Sequence, residues 1–168
     1  MAISMYRASV PVFVQFLTSL SEFLAKAAAH AEAKKVEPSV YVTGRLAPDM
    51  FALARQVQIA TDMAKGAAAR LSGTDVPGYA DTETTFPELQ ARIKKTLDFI
   101  QGVKPEAFDG ADDRDITLKA GPNELHFKGE AYLTTFALPN FFFHITTTYG
   151  ILRHMGVELG KKDFLGMK

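Results

Sequence analysis

The chain has 168 residues, 47% apolar and 23% charged, with 19 basic side chains against 19 acidic ones and no cysteine. One domain of this length buries roughly 70% of its unfolded surface and holds a core without crosslinks, so a single domain over 1–168 is expected. The balanced charge gives no net pull toward phosphate backbones or anionic lipid, which argues against nucleic acid and membrane partners. The lack of cysteine excludes disulfides, thiolate metal sites and thiol nucleophiles, and suits a reducing, cytoplasmic compartment.

Tyr6, Val10, Phe13, Leu17, Leu20, Leu24, Ala27 and Ala31 follow the alternating four and three spacing of one helix face. They predict a long first helix that fades near Lys35, with Pro11 either kinking it or marking a later start. Its apolar pattern is broken by Arg7, Gln15 and Glu22 and lacks the ordered regions of a signal peptide. No apolar run in the sequence reads as the stretch of about 20 residues that a membrane span needs. Glu37-Pro38 to Gly44 reads as a connection.

Asp49, after Pro48, is placed to cap a second helix, along which Met50, Leu53, Val57, Ala60, Ala64, Ala67 and Leu71 repeat the same spacing, with Gly73 as its stop. The segment from Ser72 to Thr85 is long enough to cross a bundle end. Thr85 and Glu88 form a capping-box signature for a third helix, whose stripe is Phe86, Leu89, Ile93, Leu97 and Ile100. From Asp115 the period becomes two: Ile116 and Leu118, a turn at Gly121-Pro122-Asn123, then Leu125 and Phe127 predict a small hairpin. Such a hairpin is marginal alone and is expected to lie against the helices. Pro139 and Asn140 are read as the start of a fourth helix carrying Phe141, His144, Thr148, Ile151 and Met155 inward, with Arg153 and His154 at its C-terminal dipole. A mostly all-α four-helix bundle follows.

His144 and Thr148 fall on the line that buries the fourth helix, one turn apart, and each needs a hydrogen-bond partner there. Gln56, about 70° from the centre of the second helix's stripe, is better placed to reach them than Gln58. A core histidine satisfied by glutamine, a hydroxyl or a carbonyl outweighs a metal ligand or proton carrier on the residues alone, because only this histidine faces inward. His30, His126 and His154 read as solvated. Asp81, Glu83 and Glu88 read as caps and solvated loop charges, and Lys161, Lys162 and Lys168 as an ordinary basic tail. No phosphate loop, nucleophile elbow or paired-histidine motif is present.

Leu46-Ala47-Pro48-Asp49-Met50, Gln56 to Ala60, Glu88 to Ile93, Leu138-Pro139-Asn140-Phe141-Phe142-Phe143-His144, Ile151 to His154 and Asp163-Phe164-Leu165-Gly166 resemble, over nearly the whole chain, an uncharacterised domain-of-unknown-function family. That family is similar to the DinB/YfiT-like four-helix proteins of bacterial type. The resemblance implies a bundle with a long crossover between its second and third helices, a small hairpin before the last helix, frequent homodimers, and a metal site of one histidine on the second helix and two, four apart, on the last.

Carried over, His144 matches the first histidine of the final pair and is the only candidate ligand. Thr148 stands where its partner belongs, and Gln58, or Gln56, takes the second-helix position. Glutamine and threonine are poor ligands for zinc or nickel. The resulting expectation is a bundle that has lost the three-histidine site, with a divalent metal, zinc or nickel, implied only by analogy with the superfamily, keeping a polar pocket of His144, Thr148, Gln56 or Gln58, and Tyr149 for a small molecule. The alternatives are a metal-dependent hydrolase or thiol-group transferase, and a structural dimer module using Phe51 and Ile59.

Overall fold

A computed structural model describes residues 3–167 and, within them, every side chain but that of Ala120; Lys168 of the basic tail lies outside. The first helix, α1 (Met5–Lys34), starts where the Ser4 hydroxyl accepts from the Arg7 amide. It runs through Pro11, which stands on an exposed face. Over 18 of its residues α1 has a mean hydropathy of 1.4, so by length and composition it could cross a membrane, contrary to the expectation from sequence. Here its apolar stripe, Val10 to Ala31, packs inside the bundle.

The connection expected before the second bundle helix contains a short helix, α2 (Pro38–Val42), which buries Tyr41 and Val42. The next helix, α3 (Leu53–Ser72), begins later than Asp49 would place it, after Ala52. The Leu53 amide is claimed by the Gly44 carbonyl at 2.8 Å, which ties the loop shut and leaves Asp49 in a turn outside the helix. Gly73 ends α3 at φ +73°, a conformation that glycine adopts without a Cβ penalty.

Extended chain then returns along α3. Asp81 meets Arg55, and Glu83 accepts from the Gln58 amide, both on the N-terminal half of α3. The following helix, α4 (Phe86–Gly102), therefore starts at the same end as α3 and runs in the same direction, as a crossover requires. Its capping box is complete: Thr85 accepts from the Glu88 amide, and the Glu88 carboxylate accepts from Thr85.

A 3-10 turn (Pro105–Phe108) leads to the hairpin of β1 (Asp115–Ala120) and β2 (Asn123–Lys128), with Ile116 opposite Phe127 and Leu118 opposite Leu125. Phe127 packs on the rings of Tyr132 and Phe136, which covers the hairpin's inner face. Gly129 follows, and a Cβ there would lie 1.7 Å from the Ala111 carbonyl oxygen, so only glycine fits.

The last bundle helix does not begin at Pro139. Helical structure starts with α5 (Gly129–Ala131), passes through a π-helical segment (Tyr132–Ala137) and continues as α6 (Leu138–His154). The wider π turn absorbs the interruption made by the proline's missing N–H. Asn140, read as a start signal, donates instead to the Phe136 carbonyl one turn back.

The chain closes with α7 (Lys161–Leu165), formed where a basic tail was expected. Phe164 enters a cluster of Phe16, Phe23 and Tyr149, and Asp163 pairs with Lys26 at 2.6 Å. In the bundle α1 and α3 each pack against both α4 and α6. Thus α3 has two working flanks, one toward α6 and one toward α4.

Candidate functional site

On the α6 flank, His144 and Gln56 meet. The imidazole Nδ1 lies 2.7 Å from Gln56 Oε1, and Gln56 Nε2 donates to the Phe51 carbonyl at 3.0 Å. The second bond fixes the amide's orientation, so its oxygen faces the ring and Nδ1 must carry the hydrogen. His144 Nε2 is then left as a bare lone pair.

Among the described residues, Ser19 Oγ is the only fully buried side-chain polar atom without a hydrogen-bond partner. Nε2 has no such partner either, so it touches solvent, although His144 as a whole is 8% exposed. Burial, with a contribution from the Arg55 charge, lowers the imidazole pKa from 6.5 to about 4. At neutral pH the ring is uncharged and presents an acceptor.

The surroundings are aromatic. The Phe143 ring stands edge-on to the imidazole with centroids 5.2 Å apart. Phe143 and Phe51 are 56% and 57% exposed, high values for such large apolar side chains. Ile59, paired with Phe51 in the expectation of a dimer face, is partly buried.

The other site candidates lie elsewhere. Thr148 is buried, but its hydroxyl donates to the His144 carbonyl at 2.9 Å, the usual use of a mid-helix threonine, so it bonds backbone and not the imidazole. Tyr149 points away, edge-on to Phe23 and Phe164 near α7. Gln58 is on the α4 flank: its side-chain Oε1 accepts from Arg55 at 3.2 Å and its Nε2 donates to Glu83 at 3.0 Å. The expected network of glutamine, histidine and threonine is thus reduced to one pair, Gln56 and His144.

That second flank holds a cluster that the reading of the sequence did not single out. Arg92 is 3% exposed, and its guanidinium spends every donor. Nε donates to Thr61; Nη1 donates to the Ala80 carbonyl and Glu83; Nη2 donates to Asp62 and the Gln58 carbonyl and pairs with Asp81 at 3.1 Å. Lys65 and Arg55 add their charges to Asp62 and Asp81, so three cations meet three carboxylates. The Tyr79 ring lies against Lys65, Arg92 and Lys95. Asp81 and Glu83 are therefore not solvated loop charges but the pins of the crossover, while Glu88 does cap α4. The signal was legible: Arg92 shares three and four spacing with Leu89, Thr96 and Ile100.

Among the described residues, no group of three or more His, Cys, Asp or Glu side chains is placed to hold a metal ion. Of the donors around His144, one is an imidazole whose Nδ1 is engaged and another an amide already bonded at both ends. This set does not fit the three-histidine metal centre that the resemblance implies.

The fold and site together define a DinB-like four-helix bundle in which a histidine and a glutamine face each other between its second and last helices. A crystal structure of a DinB family member protein from Shewanella denitrificans matches with a TM-score of 0.91 and 43% sequence identity, over 98% of this chain and 93% of that one. The family model for the domain of unknown function DUF1993 matches residues 5–165, and the chain belongs to that family. No functionally curated protein matches it.

Proposed function

We propose that this protein binds a small organic molecule without a metal ion, at a site centred on His144 and Gln56. The observation that carries the reading is the 2.7 Å bond between His144 Nδ1 and Gln56 Oε1, with the amide held by the Phe51 carbonyl. A metal-ligating histidine also has one nitrogen oriented by a neighbour, but it needs further ligands around the other. Here the ring that flanks the imidazole is that of Phe143, edge-on to it, which offers an aromatic surface to an organic ligand.

Elemental analysis of protein purified without chelators tests the reading. Zinc, nickel and iron are expected well below one ion per chain, with no change on His144→Ala. One bound ion per chain that is lost in His144→Ala would overturn it in favour of a metal-dependent hydrolase or transferase.

A further inference from the structure

Among the described residues, α7 is the one helix that buries none of its own side chains. The chain leading to it is anchored by Val157 and Leu159, both buried, and Gly160 is the first residue past those anchors. Beyond Gly160 three contacts hold α7 down. Phe164 lies against the rings of Phe16, Phe23 and Tyr149. Gln15 Nε2 donates to the Leu165 carbonyl at 2.9 Å, and Lys26 pairs with Asp163 at 2.6 Å. The last two are polar links at the surface, where water and salt compete with them.

A fourth contact works against docking. Ser19, on α1, is 1% exposed, and among the described residues its hydroxyl is the buried side-chain polar atom without a hydrogen-bond partner. Ser9 and Thr18 of the same helix donate to the Met5 and Val14 carbonyls one turn back, whereas Ser19 makes no such bond. Gly166, at the end of α7, lies over it: a Cβ there would stand 3.2 Å from Ser19 Oγ. A dry, unpaired hydroxyl carries a desolvation cost that hydration removes. Docking of α7 is therefore driven by the packing of one ring and opposed at one atom.

We propose that α7 is a strap that turns at Gly160 between a docked and a released position while the bundle stays folded, and that release opens the aromatic seam of Phe16, Phe23 and Tyr149 between α1 and α6. Phe164 is its latch and Ser19 its wedge. Release is a local opening, well below the free energy of global unfolding. Phe16 also stands edge-on to Phe142 of α6, with centroids 4.7 Å apart, so release frees a ring that packs on the helix carrying His144. The strap is independent of the ligand proposed at that histidine.

Amide hydrogen exchange on the intact protein tests the strap. The amides of Phe164, Gly166 and Met167 donate to the carbonyls of Gly160, Asp163 and Lys162. They are expected to exchange roughly a hundredfold or more faster than amides in the middle of α3, with little dependence on urea below the unfolding transition. Ser19→Ala removes the wedge and is expected to slow all three about five- to tenfold. Phe164→Ala removes the latch and is expected to speed the remaining α7 amides while α3 is unchanged. Exchange of α7 at the rate and urea dependence of α3 would overturn the strap, because α7 would then open only with the bundle. Fast exchange at Gly166 and Met167 with Phe164 as protected as α3 would reduce the motion to a frayed last turn and overturn the hinge. Unchanged or faster α7 exchange in Ser19→Ala would overturn the wedge, and faster exchange in α3 on Phe164→Ala would make α7 part of the core.

Discussion

The two flanks of α3 bury polar side chains in opposite ways. Toward α4, Arg92 meets an acceptor with every N–H it has, and the carboxylates around it are shared with Arg55 and Lys65. Toward α6, His144 has one nitrogen satisfied and one without a protein partner among the described residues. Saturated donors on one flank hold the crossover against the bundle. The unsaturated nitrogen on the other is positioned but unspent, and the proposed ligand site rests on that difference.

The largest test of this contrast is Arg92→Ala. Removing the guanidinium leaves Glu83, Asp62 and Asp81 without their shared cation, and a loss of about 3–5 kcal/mol is expected in urea unfolding. The segment from Gly73 to Thr84 should also become sensitive to protease. Arg92→Lys should recover little, because one ammonium cannot replace a planar fork. A loss below about 1 kcal/mol for Arg92→Ala would break the comparison by showing that the clamp is ornamental.

The next effect is pH dependence on the His144 flank. The imidazole pKa is 6.5 in the unfolded reference and about 4 in the fold, so the unfolded chain takes up the proton first. The stability of the neutral site is complete above 6.5, falls as pH drops below that value and is lost on passing about 4. The expected contribution is about 2–3 kcal/mol. Urea unfolding of wild type and His144→Gln at pH 7 and pH 4.5 isolates it as the difference in their pH slopes; equal slopes would contradict a buried neutral imidazole.

Smaller still is Gln56→Leu. It removes the acceptor of Nδ1–H and the donor to the Phe51 carbonyl, for an expected loss of about 1–2 kcal/mol. The more specific readout is the tautomer. NMR of the imidazole nitrogens should show one dominant form in wild type, with the hydrogen on Nδ1, and a mixture in Gln56→Leu. A single unchanged tautomer in both would mean that the glutamine does not orient the ring.

Much of this was legible in residue spacing. The stripes of α1, α3 and α4, the Thr85 and Glu88 cap, the Gly73 stop and the hairpin register are local, fixed by neighbours within a few residues. His144 was legible as an inward polar residue that needed a partner, and helical period favoured Gln56 on the second bundle helix while leaving Gln58 open. Arg92 lies on the inward spacing of α4 with Leu89, Thr96 and Ile100, but that spacing names no partner for it. Only the folded chain brings Ala80, Asp81 and Glu83 back to it. The start of the last helix was misread for a similar reason: Pro139 is a start signal locally, but the helical chain already begins at Gly129, where it packs against β2 and α3 and passes the proline by way of the π-helical turn.

By itself, then, the sequence determined the helices, their inward faces and the presence of one histidine that could not stay unpartnered in a core. Tertiary structure decided which of two glutamines it meets, that Thr148 turns to its own helix, and that Gln58 joins the crossover clamp. The physical reason is direction: helical period gives the side on which a residue lies, but the partner of a polar atom depends on the angle and depth at which another helix arrives.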